Sequence, residues 1–194
     1  MTLKTVQQTT SKFHQAFPLI IFEKKISGFL SQLYKSFDDG KFDNSQGAIV
    51  GEHHGKVLIH HDKRLAPFFR EIKKSVVEYL DYFEIDKSTF NVNFVKTWFT
   101  ICDPQQTLPV HYHSCSHISF VYYIQTPGDP LVLHKKNPNE WFGDAFKFIK
   151  ENRYNNGDGY VIQPKPEHLV MFPSSIEHYT TPEPREHKRI SLAG

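Results

Sequence analysis

His111 and His113, one residue apart around Tyr112, and His178 much later in the chain are the side chains best suited to hold a metal ion. In an extended segment, residues two positions apart point to the same side, so both imidazoles of His111-Tyr112-His113 can converge on one ion. Imidazole suits iron, zinc, copper and nickel. Alone the pair is a weak signal, because His-x-His arises by chance in a chain of 194 residues with 12 histidines. His178 strengthens it. It follows an apolar strand, Leu169-Val170-Met171-Phe172, and the turn Pro173-Ser174-Ser175, at a separation that suits a strand returning beside the first. Three histidines on one side of an ion leave the opposite positions open, as catalysis requires, whereas structural zinc prefers a closed cage of four ligands.

A second signal lies in His187-Lys188-Arg189-Ile190-Ser191-Leu192. On a strand, Arg189 and Ser191 face one way while Ile190 and Leu192 face the other. If the first side is an interior, a guanidinium and a hydroxyl are buried together near the histidines. A buried Arg is costly unless a carboxylate arrives to form a bidentate pair. Spacing alone leaves a surface position for Arg189 equally open.

The elements that must position these residues divide the chain into two textures within one expected domain, 1–194. About 1–89 reads as a helical support region. Phe22, Ile26, Phe29, Leu30, Leu33 and Phe37 stand near helical spacing, stopped at Asp38-Asp39-Gly40. Leu65, Phe68, Phe69, Ile72, Val76, Leu80 and Phe83 form a second apolar stripe over Arg64 to Phe83. Between them, Ala48 to Ile59 reads as a hairpin with Gly51 and Gly55 at its turns. About 90–194 reads as β: Phe90 to Ile101, Ile118 to Gln125, Leu131 to His134, Tyr160 to Gln163, Leu169 to Phe172, His178 to Thr181 and Lys188 to Leu192. Proline and glycine punctuate nearly every gap, which suggests a sandwich or barrel. A helix inserted at 139–152, with Trp141, Phe142, Ala145, Phe146 and Ile149 at helical spacing, is either a lid over the barrel mouth or packing on its outside.

Composition excludes several classes. A net charge of +2 with neutral histidines gives no electrostatic footprint for nucleic acid. No apolar run is long enough to span a bilayer. Met1 is followed by Thr, Lys and Gln residues rather than an apolar stretch ending in a cleavage site, so a cytoplasmic location is expected. Two cysteines, Cys102 and Cys115, are too few for a disulfide framework or an all-thiolate metal site. Seventeen Phe and nine Tyr supply flat side chains for a core or a pocket. Trp98, Phe99, Trp141 and Phe142 read as core or lid packing, of which one or two could line a pocket, and His53, His54, His60 and His61 as surface. His134 and His168 read as strand-end polar residues.

The stretch from Trp98 to Leu192 resembles the Fe(II)- and 2-oxoglutarate-dependent oxygenases, and most of all the small bacterial and phage branch related to prolyl hydroxylases. That branch reads His-x-His, a short loop and then Ser-Gly-Val-Tyr-Tyr. Here His111-Tyr112-His113 is followed by Ser119-Phe120-Val121-Tyr122-Tyr123. Its Phe-Pro-Ser segment before the distal histidine is matched by Phe172-Pro173-Ser174 and His178, and its closing Arg-Ile-Ser by Arg189-Ile190-Ser191. Four matches in order are specific jointly. The resemblance implies an α+β, mainly β double-stranded β-helix (a jelly-roll, cupin-like barrel), with the N-terminal helices packed on one sheet. It implies Fe(II) held by His111, His113 and His178, with His113 where most relatives carry Asp. It also implies 2-oxoglutarate held by Arg189, Ser191 and Tyr123, and O2 as second cosubstrate. The reaction implied is hydroxylation of an unactivated C–H bond of a peptidyl or small-molecule substrate, with release of succinate and CO2. Two features depart from the pattern: the metal has no anionic protein ligand, and Phe120 stands where relatives carry Gly.

Three other readings of the same residues remain. A cupin-type metalloenzyme shares the barrel and needs no 2-oxoglutarate. It expects a Glu where His117 stands, and Pro173 to His178 keeps its spacing without its Gly. A non-catalytic ligand-binding barrel would leave the histidines incidental. A zinc hydrolase would need a general base, for which Glu177 is the candidate.

Overall fold

The computed structural model describes residues 19–38, 58–104, 106–128, 130–134, 159–181 and 186–194. Among these residues there are eight strands: β1 (Phe22–Lys25), β2 (Trp98–Cys102), β3 (Ile118–Gln125), β4 (Leu131–His134), β5 (Gly159–Ile162), β6 (His168–Pro173), β7 (His178–Thr180) and β8 (Arg189–Ala193). Among the described residues, two α-helices, α1 (Leu30–Asp38) and α2 (Ala66–Asp81), precede β2. The expected hairpin lies almost wholly outside the described residues, and the expected helix 139–152 entirely so.

All strand pairs are antiparallel. Five strands form one sheet in the order β1-β6-β3-β8-β2, and three form another in the order β5-β4-β7. Tyr123, Val170 and Phe172 of the first sheet share one apolar cluster with Leu131, Leu133 and Ile162 of the second, so the sheets pack face to face. The other face of the large sheet carries Phe99, Phe120, Tyr122, Ile124, Leu169, Met171, Ile190 and Leu192. These meet Leu33 of α1 and Phe68, Phe69, Ile72, Val76 and Tyr79 of α2. Alternation along each strand thus sends successive side chains to a helix-covered core and to the space between sheets.

The second apolar stripe folds as expected into α2, with Pro67 in its first turn, where a missing N–H costs nothing. Its end differs. Tyr79 is buried and donates from its hydroxyl to the Ile20 carbonyl at 2.7 Å, while Phe83 lies 45% exposed beyond the helix.

Phe22 to Phe37 is not one helix. Its first residues form β1, which pairs with β6 as an edge strand, Phe22 opposite Met171 and Lys25 opposite His168. Phe22, Ile26 and Phe29 fit helical spacing, but Phe22-Glu23-Lys24-Lys25 also alternates, and the backbone bonds offered by β6 decide between the two. Gly28, at φ +93°, breaks the chain between β1 and α1. The N-terminal region therefore contributes a strand as well as helices. At the other boundary, Phe90 to Thr97 is not strand; β2 begins at Trp98, where pairing with β8 begins.

Candidate metal centre

His111 leaves the loop after β2 and forms an isolated antiparallel bridge with His178, the first residue of β7. The two exchange backbone bonds, His111 N to His178 O at 3.0 Å and His178 N to His111 O at 2.8 Å. His113, two residues further, lies on the same side, as the extended spacing requires. One ring nitrogen from each of the three histidines lies within 4.8 Å of the other two. That is within reach of a single ion, to which metal–imidazole bonds run about 2.0–2.1 Å.

The protonation of these rings favours ligation. His111 Nδ1 lies 2.8 Å from the Pro109 carbonyl, and His178 Nδ1 lies 2.9 Å from the Ile176 carbonyl. A carbonyl only accepts, so in both rings Nδ1 carries the proton and Nε2 keeps its lone pair. Burial, with His111 and His113 alongside, holds the pKa of His178 down to about 4 against the pull of the Ile176 carbonyl. Burial, followed by His111 and Lys96, also lowers that of His113. Neutral imidazoles are the ligating form. The ring of Phe172 packs on His178 at 4.8 Å and that of Trp98 lies 5.6 Å from His113. Trp98 is thus a wall of the site rather than simple core packing, while Phe99 is core.

Arg189 and Ser191 are buried on the face of β8 opposite Ile190 and Leu192. They face the space between the sheets, beside Cys102 and Thr100 of β2 and Tyr123 of β3, their cross-strand partners. Arg189 Nη2 donates to Cys102 Sγ at 2.8 Å. Burial pushes the Tyr123 phenol up to about 12, although Arg189 acts in the opposite direction. Tyr123 is therefore a neutral O–H donor. A guanidinium, a hydroxyl and a phenol on one interior wall offer three donor groups to a carboxylate. The surface alternative for Arg189 is ruled out by its burial, at 2% exposure.

Other residues fall elsewhere. His117 is exposed and outside the histidine cluster, so the position where a cupin carries Glu does not contribute here. Glu177 accepts from His134 Nδ1 at 3.0 Å, an ion-pair geometry outside the cluster. His168 pairs with Glu23 at 3.2 Å. His60 is not a surface residue: it is half-buried, bonds Thr97 Oγ1 through its N–H and Nδ1, and packs on Phe69 and Phe94. Phe120 points to the helix side, where Gly194 leaves room for its ring, so its bulk does not enter the site.

Two packed antiparallel sheets with a three-histidine cluster and a buried arginine on the interior wall form a barrel that could hold a metal ion beside a carboxylate site. The family model described as "Putative 2OG-Fe(II) oxygenase" matches residues 96–194, just over half of the chain, and the chain belongs to that family. No curated protein sequence matches it. Among solved structures it is similar to HygX from Streptomyces hygroscopicus, there with nickel and 2-oxoglutarate bound. That likeness has 9% identity and a TM-score of 0.58, over 90% of this chain and 81% of that one. A Pseudomonas putida prolyl-4-hydroxylase is similar at 15% identity and TM-score 0.52, over 89% of both chains. A 2OG-Fe(II) oxygenase-family oxidoreductase from Burkholderia pseudomallei follows at 12% and 0.52, over 84% and 75%. These likenesses carry the fold, a jelly-roll barrel with helices on one sheet. Family membership carries the cofactors, Fe(II) with 2-oxoglutarate and O2 as cosubstrates. No helix among the described residues is long and apolar enough to cross a membrane.

Proposed function

We propose that this chain hydroxylates an unactivated C–H bond of a peptidyl or small-molecule substrate, coupled to conversion of 2-oxoglutarate to succinate and CO2. The observation that carries this reading is the meeting of three imidazoles within 4.8 Å of one another, in the same interior that buries Arg189. His111, His113 and His178 would hold the metal. Arg189, Ser191 and Tyr123 would hold the distal carboxylate of 2-oxoglutarate. The donor set fits: imidazole nitrogens suit Fe(II), and three of them on one side leave positions for a chelating keto acid and O2. When bound, iron and its cosubstrate supply the oxidative chemistry.

The residues of the chain orient and exclude. The carbonyls of Pro109 and Ile176 fix the ring orientation of His111 and His178. Arg189 offers a planar fork that matches a carboxylate, and Tyr123 and Ser191 each add a hydroxyl donor. Because none of the three histidines is anionic, the dianionic cosubstrate balances the charge of the metal. Phe172 and Trp98 shield the imidazoles from water on two sides.

Anaerobic titration with Fe(II) and then 2-oxoglutarate tests the reading. The expected result is one Fe(II) per chain and a weak visible charge-transfer band that appears only with both present. Metal uptake without the band would indicate a barrel that does not chelate the keto acid.

A further inference from the structure

One residue joins the loop carrying His113 to the turn that delivers His178. Ser174, in the turn between β6 and β7, is fully buried at 0% exposure. Its carbonyl accepts from His113 N at 3.0 Å, and its own N–H donates to the His117 carbonyl at 3.1 Å. Its hydroxyl accepts from Ser116 Oγ at 2.8 Å and lies 2.9 Å from Ser119 Oγ. Its hydroxyl thus bonds two others, as acceptor from Ser116 and in a bond with Ser119 that either oxygen can donate. Four positions of the segment 113–119 therefore meet a single residue.

His111 is held differently. Its two backbone bonds to His178 need no side chain. Beyond His111 the chain turns at Ser114-Cys115 before entering β3, and the Ser116–Ser174–Ser119 hydroxyl chain spans the base of that turn. A buried polar chain with every member satisfied rigidifies what it joins, whereas loss of one member strands the others in a low-dielectric interior.

We infer that Ser174 is a positioning residue of the metal centre, whose hydroxyl chain holds the 113–119 loop so that His113 reaches the ion bound by His111 and His178. This rests on the reading of those three histidines as ligands. Ser174→Ala keeps both backbone bonds and loses both hydroxyl bonds. The loss falls on His113 and spares the His111–His178 bridge.

The test is a double-mutant cycle read by Mn(II) binding to the full chain under anaerobic conditions, with thermal unfolding alongside. Wild type takes up one Mn(II). Ser174→Ala weakens binding roughly tenfold, the scale set by outer residues that orient ligands, and His113→Ala weakens it at least as much. The double variant is no weaker than His113→Ala alone, because a residue that acts through His113 has nothing left to act on. An additive loss in the double variant, or unchanged affinity in Ser174→Ala, overturns the inference while leaving the ligand assignment standing. Full Mn(II) affinity in His111→Ala overturns both. If Ser174→Ala does not fold, Ser116→Ala, at the half-buried end of the hydroxyl chain, enters the same cycle with the same expectations.

Discussion

Strand β8 carries Ile190 and Leu192 on one face and Arg189 and Ser191 on the other, and β2 and β3 repeat much of this division, whereas β6 is apolar on both faces. On the helix side, Phe99, Phe120, Tyr122 and Met171 interlock with α1 and α2 in an apolar layer. On the barrel side, the same strands present Thr100, Cys102, Ser119 and Tyr123, with His178 entering from the small sheet. Both faces are buried, so burial does not distinguish stability from chemistry here. Polarity does: a buried polar residue is tolerated only where its partners, or an incoming ligand, satisfy it. The helix layer supplies the stability that lets the barrel side keep its polar groups.

The largest effect that separates the faces is expected from Leu192→Ala. Leu192 is fully buried against the helix layer, and its truncation should cost about 3 kcal/mol. Urea unfolding should show the loss, while the folded fraction binds 2-oxoglutarate with wild-type affinity. A fall in affinity as well would show that the two faces are not independent.

Arg189→Ala acts from the other face of the same strand. Removing hydrogen bonds to a charged group costs about 1.5–3 kcal/mol, which converts to roughly 10- to 100-fold weaker 2-oxoglutarate binding. Calorimetry in the presence of Mn(II) should show this with metal stoichiometry intact. Parallel loss of metal and cosubstrate would place Arg189 in the support of the fold instead.

A smaller effect belongs to the entry to α2. The hydrogen-bonded Arg64 guanidinium, with Ser36 adding to it, holds the Asp62 carboxyl at about 2, below its ordinary 3.8. A lowered carboxylate pKa stabilises the fold above the unfolded value, and that contribution is lost as pH falls from about 4 towards 2. Solvent reaches this pair, so the contribution is under about 1 kcal/mol. Asp62→Asn should be slightly less stable than wild type at pH 7, and thermal melts of the two should converge near pH 2. A constant gap across that range would mean packing rather than charge.

Much of the barrel is legible in the chain. Ile118–Gln125 and Leu131–His134 have the bounds that alternation and flanking Pro and Gly set, and β5 to β8 shift by only a residue or so. β1 was not legible, because four residues satisfy two periodicities and only the free edge of β6 selects one. Phe90 to Thr97 has strand composition but only an isolated bridge, Leu58 with Thr97. His60 reads as a surface doublet until Thr97, Phe69 and Phe94 close around it. Ser174 was visible only as part of a Phe-Pro-Ser motif; its bonds come from loops more than fifty residues away.

The amino-acid order by itself determined the local matters: that β3 to β8 form, which side of β8 is apolar, and that His111 and His113 share a side. Those follow from a backbone period of two and from where Pro and Gly interrupt it. Only the tertiary structure decided that His178 meets that pair, that Arg189 turns inward beside Cys102, and that Ser174 clasps the histidine loop. Such contacts join residues distant in the chain, and they depend on how two sheets pack together.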